Sequence, residues 1–306
     1  MAGTFDPSSD IPSLEGKVIL ITGANTGLGK QAALELAKHK PAQIWITARN
    51  IEKGDAVFSE LKSQAADTSF FLQQLDLTSF DSIRRAAKEF LALATRLDIL
   101  FLNAGIMGHP AAVTQDGYKI HMGTNHLGHA LLLKLLTPLL VKTAIEPPSV
   151  DVRVVIMSSV GYKFSNPEGI QFDDLKKARV EGITPVMQYS QSKLTNLLYA
   201  QQVAKRYPQF TTVSVHPGSV KTELFSREPG DEQMRHLQTA VAPAKSIAVE
   251  EGVKNQLWAA TAPTVKSGVY YEPIGVADMA TGLARDEEMA QKLWVWTEKE
   301  LEGINI

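Results

Sequence analysis

The stretch Lys17-Val18-Ile19-Leu20-Ile21-Thr22-Gly23-Ala24-Asn25-Thr26-Gly27-Leu28-Gly29-Lys30 decides the fold. It opens on a continuous apolar run, and a run that does not alternate marks a strand buried on both faces, as in a parallel sheet. The glycines that follow permit a tight turn and let backbone N–H groups approach a pyrophosphate. A helix is expected from Lys30 to Lys38, and its N-terminus adds a favourable field for phosphate. Strand, glycine turn and helix in this order predict a nucleotide-binding unit at the start of an α/β sheet.

Moving outward, the same alternation repeats. Val18–Thr22, Ile44–Thr47, Phe70–Leu75, Ile99–Leu102, Val154–Met157 and Thr212–Val215 read as strands. Ser79–Leu93, Asn125–Val141 and Gln191–Arg206 read as helices between them. This pattern predicts an α/β fold, a doubly wound (Rossmann-type) parallel sheet of about seven strands with helices on both faces. Gly268–Glu272 is expected to supply the seventh strand at the edge. No linker or repeat divides the 306 residues, so one domain is expected over 1–306, with residues 1–16 as an N-terminal extension. Two long connections, 160–187 and 219–244, follow strands at the end of the sheet where such folds bind ligands, and long loops there are usually functional. The second is expected to act as a substrate lid.

Composition excludes several classes. With 31 basic and 33 acidic residues the formal charge is -2, so neither nucleic acid nor an anionic membrane is an expected partner. Cysteine is absent, which removes disulfides, thiolate metal sites and thiol nucleophiles. Residues 1–10 lack the pattern of a secretory signal. The most apolar segment, Ala130–Val141, carries Lys134 and Pro138 and is too short to span a bilayer, so no transmembrane segment and a cytoplasmic location are expected. His121, His126 and His129 resemble a metal cluster. Only the last two share a helical face and no carboxylate is spaced with them, so helix packing is the expected role.

The chemistry centres on Tyr189-Ser190-Gln191-Ser192-Lys193. Residues four apart stand one above the other on a helix. A tyrosine with a pKa near about 10 is a poor acid or base at neutral pH, and an adjacent ammonium favours its phenolate. The pair gains meaning from its companions in the chain. Thr22-Gly23-x-x-x-Gly27-x-Gly29, Leu75-Asp76-Leu77, Asn103-Ala104-Gly105, Asn125, Ser158-Ser159, Tyr189-x-x-x-Lys193 and Pro217-Gly218 with Val220 and Thr222 occur in that order. In these motifs, from about Lys17 to Thr222, the chain resembles the short-chain dehydrogenase/reductase family. Thr-Asn-His-Leu-Gly-His at 124–129 and Tyr-Tyr-Glu-Pro-Ile-Gly at 270–275 are similar to its retinol-dehydrogenase-like branch and to fungal members, many of which act in secondary metabolism.

The resemblance implies a carbonyl–alcohol oxidoreductase with catalytic residues Asn125, Ser159, Tyr189 and Lys193. Tyr189 would exchange a proton with the substrate oxygen as hydride moves to or from a nicotinamide, and Ser159 would fix that oxygen. Lys193 would lower the Tyr189 pKa and bind the nicotinamide ribose, and Asn125 would hold a relay water. The implied cofactor contacts are Gly23, Asn25, Thr26, Gly27, Leu28, Gly29, Arg49, Asp76, Leu77, Asn103, Ala104, Gly105, Tyr189, Lys193, Pro217, Gly218, Val220 and Thr222. Ser158 is an alternative to Ser159. The segment 161–186 before Tyr189 resembles an insertion of the retinol-dehydrogenase-like branch.

At the end of the second strand Ala48 stands where an NAD site wants a carboxylate, and Arg49 follows. A guanidinium there suits a 2′-phosphate, so NADP(H) is expected over NAD(H). Thr26 stands where the family often has a second basic residue, and Lys30 is nearby. Met107, Phe164, Met187, Leu224 and Phe225 suit either a pocket for a bulky apolar carbonyl or alcohol or packing against the lid itself, with Lys221 and Arg227 able to meet a polar substituent. The Leu131–Leu136 run reads as a core helix face, and a homo-oligomer is the other expected partner, since the family often pairs through this helix. Two further readings stay open: a non-catalytic NADP(H)-binding sensor or scaffold, and an isomerase or lyase using the same tyrosine with tightly held cofactor.

Overall fold

The structure, a computed structural model, describes all residues except 1–2, 66–67, 147–149, 225–231, 237–238, 240–245 and 278. Seven parallel strands form one sheet in the order β3-β2-β1-β4-β5-β6-β7. They are β1 Val18–Ile21, β2 Gln43–Ala48, β3 Ser69–Gln74, β4 Ile99–Leu102, β5 Arg153–Met157, β6 Thr211–Val215 and β7 Tyr270–Tyr271. The order reverses between β1 and β4, which opens a crevice beyond the carboxyl ends of those strands. β7 is only two residues long, shorter than Gly268–Glu272, and pairs with the outer side of β6.

Alternate side chains feed two cores. Ile19 and Ile21 enter one, beneath helices α1 Gly27–Ala37, α2 Ile51–Gln64 and α6 Lys254–Thr261. Val18 and Leu20 enter the other, with α3 Phe80–Leu93, α4 Gly128–Ile145 and α5 Pro185–Arg206. At the amino end of the sheet the fully buried Asp98 accepts from the Val18 amide at 2.9 Å, Lys17 Nζ at 3.1 Å and both Arg96 donors.

Three helix boundaries differ from the sequence expectation, each for a local reason. α1 starts at Gly27 rather than Lys30, so two of the loop glycines lie in its first turn. α5 starts at Pro185, not Gln191: Thr184 caps it, its hydroxyl accepting from the Met187 amide at 3.2 Å, and proline fits the first helical position. α4 is preceded by a short helical turn, Ile120–Met122, and a π-turn, Gly123–Leu127, in which the Gly128 amide bonds Gly123 O. The continuous helical run is therefore Ile120–Ile145, 26 residues, long and apolar enough by length and composition to cross a membrane. Most of its apolar window, 72%, is buried inside the protein, as in a core helix.

The Leu131–Leu136 run lies within that core. A last helix, α7 Glu287–Glu300, packs along α5 and meets α4 at Lys134. Tyr199 stacks on Trp294 at 5.5 Å, Arg206 lies over the same indole, and Lys134 Nζ donates to Leu301 O at 3.0 Å. Residues 160–164 and 172–174 of the long connection form 3-10 turns, and Lys176 ties this segment to Glu300 of α7 at 2.6 Å. The expected lid, 219–244, falls largely outside the described residues.

Candidate active site

The glycine turn is built by close approach. Gly23 has φ +66°, and a Cβ there would meet the Ala104 backbone at 2.9 Å. A Cβ on Gly29 would lie 2.5 Å from Gly23 O and 2.6 Å from Asn103 Nδ2. Glycine is therefore required for α1 to sit against both loops. Gly27 faces Thr222 across the crevice, so the first loop meets the Pro217–Thr222 segment after β6. Thr26 stands at the N-cap of α1 without a side-chain cap bond, and its neighbour Asn25 is half-buried. Leu28 packs on the core beneath α1. First-turn N–H groups without a side-chain cap, on a glycine cradle, fit a pyrophosphate.

The loop after β4 is locked to this cradle through Thr22. Its hydroxyl accepts from the Asn103 amide at 2.9 Å and the Ala104 amide at 3.0 Å. Asn103 Nδ2 donates to Thr22 O at 2.9 Å. Asp76 accepts through Oδ1 from the Thr78 amide and hydroxyl, and the Leu77 side chain is core. After β6, Gly218 packs on Ile247, and Val220 bridges the same residue. At the end of β2, Arg49 is exposed, and no described carboxylate pairs with it. Lys30, the other basic candidate, is held by Glu60 at 2.8 Å.

Asn125 joins this half of the site to α5. Its Oδ1 accepts from the Ile106 amide at 2.8 Å, and its Nδ2 donates to Ile106 O at 3.0 Å and Ser192 Oγ at 2.9 Å. Ser192 in turn donates to Tyr189 O at 2.6 Å. Both side-chain donors of Asn125 thus serve as a clamp. That differs from a side chain free to hold water, and leaves only acceptor capacity for such a role. Gly105 lies between the parts: a Cβ there would sit 3.3 Å from Asn125 Oδ1 and 3.6 Å from Lys193 Nζ.

The two serines ending β5 have different uses. Ser158 Oγ donates to Lys193 O at 2.8 Å and anchors α5. Ser159 Oγ accepts from the Gly161 amide at 3.0 Å, and its hydroxyl lies close enough to Tyr189 to pull the phenol's pKa down. Gly161 has to be small, since a Cβ there would be 3.1 Å from Ser159 Oγ and 3.3 Å from the Tyr189 ring. Ser159, Tyr189 and Lys193 therefore converge. Gly161, Ser192 and Ile106 were missed as site residues. Only the nearness of Gly161 to Ser159 and of Ser192 to Tyr189 in the chain offered a signal.

The electrostatics reverse the expectation for Tyr189. Burial pushes its phenol up to about 12, outweighing the lowering hydrogen bond from Ser159. Lys193 Nζ lies 5.6 Å from the ring centroid and donates to Met157 O at 3.0 Å. Burial brings its own pKa down to about 8. Desolvation penalises both charged forms here, so the lysine does not offset what burial does to the phenol.

Met107, Val186 and Leu224 form an apolar wall on Tyr189, with Met187 half-buried beside them. Phe164 is 68% exposed and does not join that wall. Lys221 is exposed, and Phe225 and Arg227 lie outside the described residues. The three histidines are dispersed among separate partners: His121 with Gln188 and the His109 amide, His126 with Thr297, His129 with Thr22 and Asn125 O.

Residues 17–172 match the family described as short chain dehydrogenase. The chain is 36% identical to the short-chain dehydrogenase/reductase drtF of Aspergillus calidoustus, covering 95% of each protein. It is 35% identical to human retinol dehydrogenase 11, over 92% of this chain and 84% of that one. Among solved structures, an uncharacterised protein from Mycobacterium paratuberculosis superposes with TM-score 0.74 at 29% identity, covering 98% of this chain and 97% of that one.

Burial depresses four histidines: His121 and His216 to about 4, and His126 and His129 to about 3. In the unfolded chain they titrate near about 6.5, so between those values the unfolded state binds more protons. Stability from this source is fully present above about pH 6.5 and is lost as pH falls toward about 4. Thermal melts should show a flat Tm above neutrality and a steep decline below pH 6.5. A Tm unchanged down to pH 5 would contradict neutral burial of these rings.

Proposed function

The chain belongs to the short-chain dehydrogenase family, and from that footing we propose that it is an NADP(H)-dependent oxidoreductase interconverting a carbonyl and an alcohol on a bulky apolar small molecule. The reductive direction, as a ketoreductase of secondary metabolism, is the reading preferred here. The observation that carries it is the convergence of Ser159, Tyr189 and Lys193 beneath an apolar wall, beside a glycine cradle fit for a dinucleotide.

The nicotinamide supplies the hydride when it is bound. The protein residues supply the rest. The α1 N-terminus and the Gly23–Gly29 turn would hold the pyrophosphate, with Asp76, Asn103–Gly105 and Pro217–Thr222 bordering the dinucleotide. Arg49, exposed and without a carboxylate partner among the described residues, would meet a 2′-phosphate through its planar donor fork. Ser159 would donate to the carbonyl oxygen, its own oxygen held by the Gly161 amide. Tyr189, holding its proton at neutral pH, would pass it to that oxygen as charge develops there. Lys193 would neutralise the phenolate left behind and bind ribose hydroxyls.

The human and fungal relatives support an oxidoreductase acting on small molecules, and the wall of Met107, Val186 and Leu224 supports an apolar one.

Tyr189→Phe removes only the phenolic oxygen. Turnover of NADPH with a panel of bulky apolar ketones and aldehydes should fall by about a hundred-fold or more, while NADPH binding, read by fluorescence titration, stays near the parent value. Full turnover in this variant would remove Tyr189 from the chemistry. Arg49→Ala should weaken NADPH by roughly ten-fold or more and leave NADH nearly unchanged. Equal losses for the two cofactors would sink the 2′-phosphate assignment.

A further inference from the structure

His129 makes two hydrogen bonds that together fix where its single proton lies. Burial pushes its pKa down to about 3, so the ring is neutral. Nδ1 faces the Asn125 backbone carbonyl at 3.2 Å. A carbonyl only accepts, so Nδ1 carries the hydrogen. Nε2 faces Thr22 Oγ1 at 2.9 Å. That hydroxyl already accepts from two amides, Asn103 and Ala104, which fills both its lone pairs. It has no capacity left to accept from Nε2, so Nε2 must be bare; the one hydroxyl proton faces both Nε2 and Phe101 O, the latter at 3.2 Å. Two independent ends of the ring require the same tautomer.

The result is a hydrogen-bond chain with one direction. It runs from the Asn103 and Ala104 amides to Thr22 Oγ1, from Thr22 to His129 Nε2, and from His129 Nδ1 to Asn125 O. It begins in the loop that borders the cofactor cradle. It ends on the carbonyl of the residue whose side chain clamps Ile106 and Ser192. Asn125 lies in the π-turn 123–127, which closes with the Gly128 amide on Gly123 O.

We infer that His129 is a positioning residue for the reaction, holding Asn125 in place through a neutral Nδ1–H imidazole whose tautomer is set by Thr22. The consequence is a separation of effects. If His129 is removed, Thr22 can donate instead to Phe101 O, 3.2 Å away, and still accept from Asn103 and Ala104. The cofactor loop keeps its anchor. Asn125 loses a donor, and the geometry linking it to Gly105, Ser192 and the α5 residues loosens.

The inference rests on the reductase reading only for its kinetic arm, so two readouts are combined. In the full-length protein labelled with 15N-histidine, long-range 1H–15N correlations at neutral pH report the tautomer, with His129→Asn identifying the signal. The expected result is Nδ1–H with an unprotonated Nε2. In turnover assays on apolar ketones, His129→Phe should lower kcat by roughly ten-fold while the NADPH Kd stays within about two-fold. His129→Asn, which keeps an N–H donor at the Nδ1 position, should restore most of the kcat. An Nε2–H or charged ring overturns the inference, as do equal kcat losses in both variants. A parent protein inert toward ketones but showing the Nδ1–H ring would overturn the reductase reading and leave the His129 tautomer standing.

Discussion

The site depends on one side chain, Asn125, which binds the loop after β4 and the first turns of α5 at once. It accepts from Ile106 N, donates to Ile106 O, and donates to Ser192, which itself donates to the Tyr189 carbonyl. A buried amide with all of this satisfied is a rigid joint, because leaving any one of its partners unmade costs a desolvation penalty. The π-turn of residues 123–127 and the glycine at 105 allow the approach. Through this joint the glycine turn, the β4 loop and Tyr189 keep a common geometry.

Around that joint the sheet sets the distances. β5 ends on two serines, of which Ser158 anchors the α5 backbone and Ser159 faces the phenol. α5 carries Tyr189 and Lys193 on one face, and both are deeply buried. Burial has a cost, visible in a phenol raised to about 12 and an ammonium lowered to about 8. A tyrosine that keeps its proton is suited to giving it to a developing alkoxide, which is the requirement of the reductive direction.

Much of the architecture was legible in the residues themselves. The apolar runs placed all the strands within a residue or two, apart from the shorter β7, because parallel strands buried on both faces leave a continuous signal. The start of α5 was readable in Thr184-Pro185 but was masked by the expectation of a long loop up to residue 187. Tertiary features left no comparable trace. Periodicity cannot show a π-turn, and nothing near Asn125 in the chain announces Ile106 as its partner. His129 looked like packing because its role depends on Thr22, 107 positions away. The Tyr189 shift was misjudged because four-residue spacing reveals a neighbour but not the burial that outweighs it. The packing of α7 on α5 likewise follows from contacts such as Tyr199 with Trp294, which are remote in sequence.

The most direct test of the account follows the hydride itself. NADPH deuterated at the transferring C4 position would be incubated with the parent protein and bulky apolar ketones, and the product alcohol examined by mass spectrometry and NMR. One deuterium is expected on the carbinol carbon for each NADPH oxidised. Product formed with no net NADPH consumption, or NADPH consumed with no label in the product, would contradict it and move the tyrosine to a different chemistry.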